Sequence, residues 1–432
     1  MVKRTKDYDE DDIRVRANPR GSRPRTRQRP VHEDAADAMV IAVDRGRYTC
    51  LLELDPAQRA KQNRRGKPAE RRQVTAMKAR ELGRKGVVVG DRVGLVGDLQ
   101  GGPDALARVV RVHPRQRVLR RTADDTDPVE RIIVANADQL VIVTALADPE
   151  PRPRMIDRCL VAAFEAGLTP VLCLTKSDLA DPAELLASYL PLGITAIATR
   201  ARGGARTTGA PRGVNESAGD GLDELREILA GKVSVLVGHS GVGKSTLVNA
   251  LVPAAERAVG HVNDVTGRGR HTSTSAVALR LPPIEVKGDV KGEAPGDAEI
   301  LDHALEESSS ANGSGPEITP ESDPESALTP RVLPEGWVID TPGIRSFGLA
   351  HIGPNGVIAA FPDLAAVTAE CPRGCTHAAD APDCALDPWL ASLGKETSDE
   401  GVAQFASVSA RVDSVRRLLS ALNPQAPGAH AD

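Results

Sequence analysis

The sequence predicts a multidomain α/β protein. A small β-barrel is followed by a domain built on a mostly parallel sheet with helices on both faces, and then by a helical C-terminal domain. Three observations carry this. Between residues 38 and 122 the chain runs in short strands broken by turns, with no helical period. From Ile132 onward apolar strands alternate with helices, as a parallel sheet covered on both sides requires. After Phe347 the chain turns helical and gathers three of its six cysteines within residues 371–384. At 432 residues the chain is too long for one ordinary core, and its 41% apolar fraction is enough to fill several.

The barrel strands begin with MVIAVDRGRYTCLLEL, which alternates around a turn at Asp44-Arg45-Gly46, and continue through VVVGDRVGLVGD and ALARVVRVHPRQRVLRR. ANADQLVIVTAL then reads as a buried strand and MIDRCLVAAFEAG as a helix ending at Gly167. TPVLCLT, GITAIAT and VSVLVG read as three more buried strands, and VDSVRRLLSALN as a closing helix. No run reaches the ~18 uninterrupted apolar residues of a membrane-spanning helix. The charged start (Lys3, Arg4, Lys6, Asp7) does not resemble a secretory signal.

The net charge is −4, from 55 Lys+Arg against 59 Asp+Glu, but the signs are segregated. Residues 13–30 hold seven arginines and no acid, and residues 57–85 hold eleven Lys/Arg and two Glu. Residues 284–330 hold twelve acids and two Lys. Residues 1–37 read as a disordered basic arm, and the Ser-, Pro- and Gly-rich stretch 284–330 as a disordered acidic insertion. Near-neutrality therefore conceals a basic first third, suited to a phosphate backbone. Tyr48 is the only aromatic between residues 38 and 122, so Arg/Lys contacts to phosphate fit this barrel better than base stacking.

Gly238-His239-Ser240-Gly241-Val242-Gly243-Lys244-Ser245, followed by Thr246, fits the phosphate-loop pattern G-x-x-x-x-G-K-[ST] between a strand and a helix. Glycines let backbone N–H groups turn inward around phosphate oxygens, and the helix N-terminus adds partial positive charge. Lys244 is placed to reach the β- and γ-phosphates, and the Ser245 hydroxyl to ligate Mg²⁺. Thr175-Lys176-Ser177-Asp178 closes the strand PVLCL and fits [NT]-K-x-D, in which a carboxylate accepts from the guanine N1–H and exocyclic amine. Asp340-Thr341-Pro342-Gly343 follows WVI and fits D-x-x-G, with Asp340 directed to Mg²⁺ and the Gly343 N–H to the γ-phosphate.

The guanine element precedes the phosphate loop, and D-x-x-G comes last. This is a circularly permuted order, with the switch elements just before the C-terminal domain. RGRHTST (268–274) lies between phosphate loop and D-x-x-G, and Thr272 or Thr274 is the candidate to complete the Mg²⁺ shell. Ile344 stands where a water-orienting Gln is common, which makes His271 the candidate catalytic residue and predicts slow intrinsic turnover. Cys371, Cys375, His377 and Cys384 form a closed Cys₃His set, the donor set of a structural Zn²⁺ site. The competing reading, a disulfide plus a spare cysteine, is disfavoured in a reducing cytosol. Cys50, Cys159 and Cys173 sit singly in apolar segments as small buried hydrophobes.

Barrel, TKSD, GHSGVGKST, RGRHTST, DTPG and the cysteine cluster, in this order, resemble the ribosome small subunit-dependent GTPase A family, the circularly permuted GTPases of bacterial small-subunit assembly. The resemblance implies an RNA-binding OB-fold at 38–122, a permuted GTPase domain at 123–352 and a zinc domain at 353–432. It implies cytoplasmic GTP hydrolysis, stimulated by the small (30S) subunit and its 16S rRNA, in late maturation. A monomer with no DNA or membrane partner is expected. A hydrophobic residue in place of Gln and a switch histidine are family features, matched by Ile344 and His271. The spacing Cys371–Cys375 is one residue shorter than usual in the family and His377–Cys384 one longer, so the overall span is kept. The long segment 200–220 leaves two candidates for the last guanine-binding loop, Ala198-Thr199 and its rival Ser217-Ala218. Two other classes compete with the GTPase: an ATP-using P-loop enzyme such as a kinase, and a non-catalytic RNA chaperone.

Overall fold

A computed structural model describes residues 32–52, 72–83, 86–100, 102, 105–122, 130–200, 221–252, 276–286, 331–341, 348–349, 352–396 and 398–422. Five strands close the barrel: β1 (Ala36–Asp44), β2 (Arg47–Leu52), β3 (Gln73–Lys78), β4 (Arg92–Gly97) and β5 (Ala107–Val112). The neighbours are β1–β2, β2–β3, a parallel β3–β5, then β5–β4 and β4–β1, so every strand is paired on both sides. Period-2 alternation buries Ala107 and Val109 of β5 and exposes Arg108, and the register shift at Gly94/Leu95 breaks the alternation so that Arg111 also faces water. Val40, Cys50, Val74, Val93, Leu95 and Val109 fill the interior, with Tyr48 among them.

Strand β6 (Val118–Arg121) leaves the barrel after Pro114 and pairs with β7 (Arg131–Ala135), so this hairpin straddles the boundary expected near residue 122. The second sheet runs β10 (Thr195–Ala198), β9 (Thr169–Thr175), β8 (Gln139–Ala145), β11 (Val233–Val237), β15 (Gly336–Asp340) and β12 (Val277–Leu281). Its first five strands are parallel, and β12 is antiparallel to β15. All seven residues of β8 are buried, as a central strand covered on both faces requires. One pairing, Ala42 with Val277, continues this sheet into the barrel.

Helix α1 (Pro153–Glu165) packs Ile156, Leu160 and Ala163 against one face of the sheet. The short α2 (Ala183–Tyr189) precedes β10. Helices α3 (Leu222–Leu229) and α4 (Lys244–Leu251) pack Leu225, Leu229, Leu247 and Leu251 against the other face. Strands β13 (Ile284–Val286) and β14 (Arg331–Leu333) pair, so the two ends of the acidic stretch meet, and its first three residues are strand. The rest of it, 287–330, and residues 1–31 of the expected arm 1–37 lie outside the described residues, while the arm's Ala36 and Asp37 belong to β1.

Polar groups brace the barrel and tie it to the β6–β7 hairpin. Asp91, with no exposure, takes two hydrogen bonds from Arg115 (2.7 and 2.8 Å) and one from the Val88 N–H (2.8 Å). A buried carboxylate persists only when paired in this way. Asn136 donates to Gly90 O (3.0 Å) and accepts from the Gln116 N–H (2.9 Å), tying the β7 end to the barrel.

The C-terminal helices are α5 (Pro354–Ile358), α6 (Pro362–Thr368), α7 (Leu386–Leu393) and α8 (Asp399–Ser420). Their Ile358, Phe361, Leu364, Leu386, Val412 and Leu418 join the same apolar cluster as Leu160 and Ala163 of α1. Phe361 meets Phe164 edge-on, with ring centroids 5.0 Å apart. The C-terminal region therefore shares its core with the α1 side of the sheet.

Candidate functional site

The phosphate loop leaves β11 at Gly238 and enters α4 at Lys244. A Cβ on Gly238 would lie 2.5 Å from the Val143 carbonyl oxygen, so no other residue fits without moving β8. Gly243 has a φ of 89°, the left-handed region, and supplies the turn into the helix. Lys244 is mostly buried. Its ammonium pairs with the Asp340 carboxylate and donates to Thr341 O (3.0 Å). The Thr341 hydroxyl donates to Leu236 O (2.6 Å), holding the D-x-x-G start against β11. Phosphate loop and D-x-x-G aspartate thus meet at the C-terminal ends of adjacent parallel strands, where ligands bind in open α/β sheets.

The guanine element sits two strands over, at the end of β9. Its Thr175 hydroxyl donates to Val242 O (2.6 Å) and is also 3.2 Å from Thr144 O, so it braces the phosphate loop from below. Lys176, with a φ of 58°, donates through its ammonium to Asp148 O. Asp148 belongs to the loop after β8, and the neighbouring Pro149 lies 3.6 Å from where a Cβ on Gly241 would stand. The Ser177 N–H donates to Thr199 O (3.1 Å), and the Thr199 N–H to Leu174 O (2.7 Å). Ala198 and Thr199 therefore flank the guanine element, with Gly221 packed against the Ala198 carbonyl. Asp178 is half-buried at the end of the motif.

His271, Thr272, Thr274, Gly343 and Ile344 lie outside the described residues, as do the rivals Ser217 and Ala218. Sequence reasoning missed the Asp148–Pro149 loop. Its only signal is a positive φ on a non-glycine residue, which no sequence pattern announces.

The cysteine cluster forms between α6 and α7. The ligand atoms of Cys371, Cys375, His377 and Cys384 all lie within 4.8 Å of one another. Around tetrahedral zinc with ~2.3 Å bonds, sulfurs sit roughly 3.8 Å apart, so this donor set fits the ion after a small contraction. The His377 N–H donates to the Cys375 sulfur (3.4 Å), and the Ala385 N–H to the Cys371 sulfur (3.2 Å), contacts that favour thiolates. Burial lowers the His377 pKa and keeps the imidazole neutral, the ligating form. Burial, with the neighbouring thiols, pushes the Cys384 thiol up to about 11; a bound cation reverses that penalty. Cys384→Ser should lower zinc content, read by elemental analysis, from about one per chain to near zero. Its thermal midpoint should fall by several degrees, because Cys384 belongs to the shared core.

The RsgA GTPase family model matches residues 112–290. Over 303 residues the chain is 34% identical to the small ribosomal subunit biogenesis GTPase RsgA of Pseudomonas aeruginosa (strain LESB58), covering 69% of each chain. The chain belongs to the RsgA GTPase family. The RsgA of Azotobacter vinelandii is 33% identical over 343 residues, covering 78% of this chain and 75% of that one. A crystal structure of YjeQ from Thermotoga maritima is 21% identical, covers 89% of this chain and 98% of its own, and superposes with a TM-score of 0.49. As an RsgA family member the chain is a GTPase, a hydrolase that uses Mg²⁺ with GTP, and its Cys₃His cluster can hold zinc.

Proposed function

We propose that the protein hydrolyses GTP on the small ribosomal subunit during its late maturation, acting as a cytoplasmic monomer without DNA or membrane partners. The carrying observation is the convergence of Lys244, Asp340 and the Thr175–Asp178 element at one edge of the sheet, in a family whose relatives are named small ribosomal subunit biogenesis GTPases. In this reading, Gly238–Thr246 bind the phosphates, and Thr175–Asp178 with Ala198–Thr199 hold the guanine. Ser245 and Asp340, with Thr272 or Thr274, hold Mg²⁺, and the Gly343 N–H meets the γ-phosphate. His271 orients the attacking water. Among the described residues no helix is long and apolar enough to cross a membrane.

The barrel suits a phosphate-rich partner. Arg47 pairs with Met77, Met77 with Arg108 and Arg108 with Val96, so one cross-strand row presents two exposed arginines. Tyr48, the barrel's single aromatic, is 7% exposed and offers no stacking platform. Binding should therefore follow charge and weaken steeply with salt. With a non-hydrolysable GTP analogue, the protein should co-sediment with purified small subunits at low salt and dissociate as salt rises. Equal sedimentation with large subunits, or binding that ignores the nucleotide, would contradict the proposal.

A further inference from the structure

Two neighbouring arginines of α8 hold opposite ends of the molecule's chemistry. Arg416 donates to Asp387 (2.6 Å) on α7, and the Asp387 N–H donates to the Cys384 carbonyl (3.1 Å) at the metal cluster. Arg417 reaches the other way. Its guanidinium donates to Ser188 O (2.9 Å), pairs with Asp157 (3.3 Å) and lies 4.6 Å from the centre of the Tyr189 ring. Arg411 adds a bond to Pro191 O (3.1 Å), and the Ser414 hydroxyl one to Ser188 O (3.4 Å).

Ser188 and Tyr189 end α2, the helix that follows the guanine element. That helix has seven residues, and Tyr189 is its one fully buried side chain. So short a helix does not hold itself in water; tertiary contacts must fix it. At its near end the chain is fixed by Thr175 and Lys176, and at its far end by α8. Burial pushes the Asp157 carboxyl above its usual range and the Arg417 charge opposes this, so losing Arg417 leaves a buried acid with only the Tyr189 side chain to oppose that burial.

We propose that Arg417 is a positioning residue for the guanine-binding loop, and that the adjacent Arg416 and Arg417 couple the Cys₃His centre to guanine-nucleotide affinity. The inference rests on Thr175–Asp178 being the guanine element. Coupling of this kind is reciprocal: whatever metal binding adds to nucleotide affinity, nucleotide binding adds to metal affinity.

The test uses the full zinc-loaded chain and a fluorescent GDP analogue. Arg417→Met should weaken GDP about threefold to tenfold, the size of measured couplings through packed elements. It should raise KM for GTP by the same factor and leave kcat unchanged. Arg417→Lys, which keeps the charge but not the fork, should recover part of the affinity. GDP should strengthen zinc retention against a chromogenic chelator in the wild type and not in Arg417→Met. If Arg417→Met proves unfolded by circular dichroism, Ser414→Ala and Arg417→Lys give the same readout with smaller shifts. Wild-type GDP affinity in a folded Arg417 variant, or a fall in kcat at constant KM, overturns the inference. If Asp178→Ala also leaves GDP affinity unchanged, the guanine assignment itself has failed. If Asp178→Ala weakens GDP and Arg417→Met does not, only the coupling has failed.

Discussion

Asp178→Ala should abolish the preference for guanine nucleotides. In the proposed reading the carboxylate accepts from two guanine donors, and hydrogen bonds to a charged group contribute about 1.5–3 kcal/mol each. Losing both weakens GTP by roughly 10²- to 10⁴-fold, since 1.4 kcal/mol is a factor of ten. ATP presents no such donor pair and should bind the variant as weakly as it binds the wild type. The fold should survive, because Asp178 is half-buried at a loop and Thr175, through its bonds to Val242 and Thr144, still braces the phosphate loop. Competition titrations against a labelled guanine analogue give the answer directly. A variant that still prefers GTP would place guanine recognition on other groups.

The parts of this molecule legible in the sequence are those written in short range. The glycines of GHSGVGKS declare a tight turn from strand to helix, and Gly238 is required because β8 passes within contact distance. The unbroken apolar run of β8 declares a central strand, and the Cys₃His spacing declares a metal cluster whose atoms do converge. What sequence could not show is long-range. The barrel closes through a parallel β3–β5 pairing out of chain order. Strand β6 shares the alternating pattern of the barrel strands yet pairs outside them, because Pro114 breaks the run and β7 offers a partner. The C-terminal helices carry no mark of where they dock: Arg417 and Ser188 are 229 residues apart, and an arginine on a helix face reads as solvated until its partner is seen. Thr175 likewise reads as a nucleotide contact in the motif, while its hydroxyl is spent on Val242 and Thr144.

The second large effect concerns turnover. Ile344 stands where a water-orienting Gln is common, so the isolated protein lacks that residue and should hydrolyse GTP slowly. In chain order residues 268–274 run into β12, the strand joined to the barrel, and residues 340–343 run on toward the C-terminal helices. A partner that grips the barrel and C-terminal region together can therefore order the catalytic groups. Where a partner completes a GTPase site, gains of 10³- to 10⁵-fold are known, and ordering alone should give about a hundredfold or more. The most direct measurement is the steady-state GTPase rate with and without purified small ribosomal subunits. The expected result is a large, saturable increase with small subunits and none with large subunits. Equal rates in all three conditions would contradict the account.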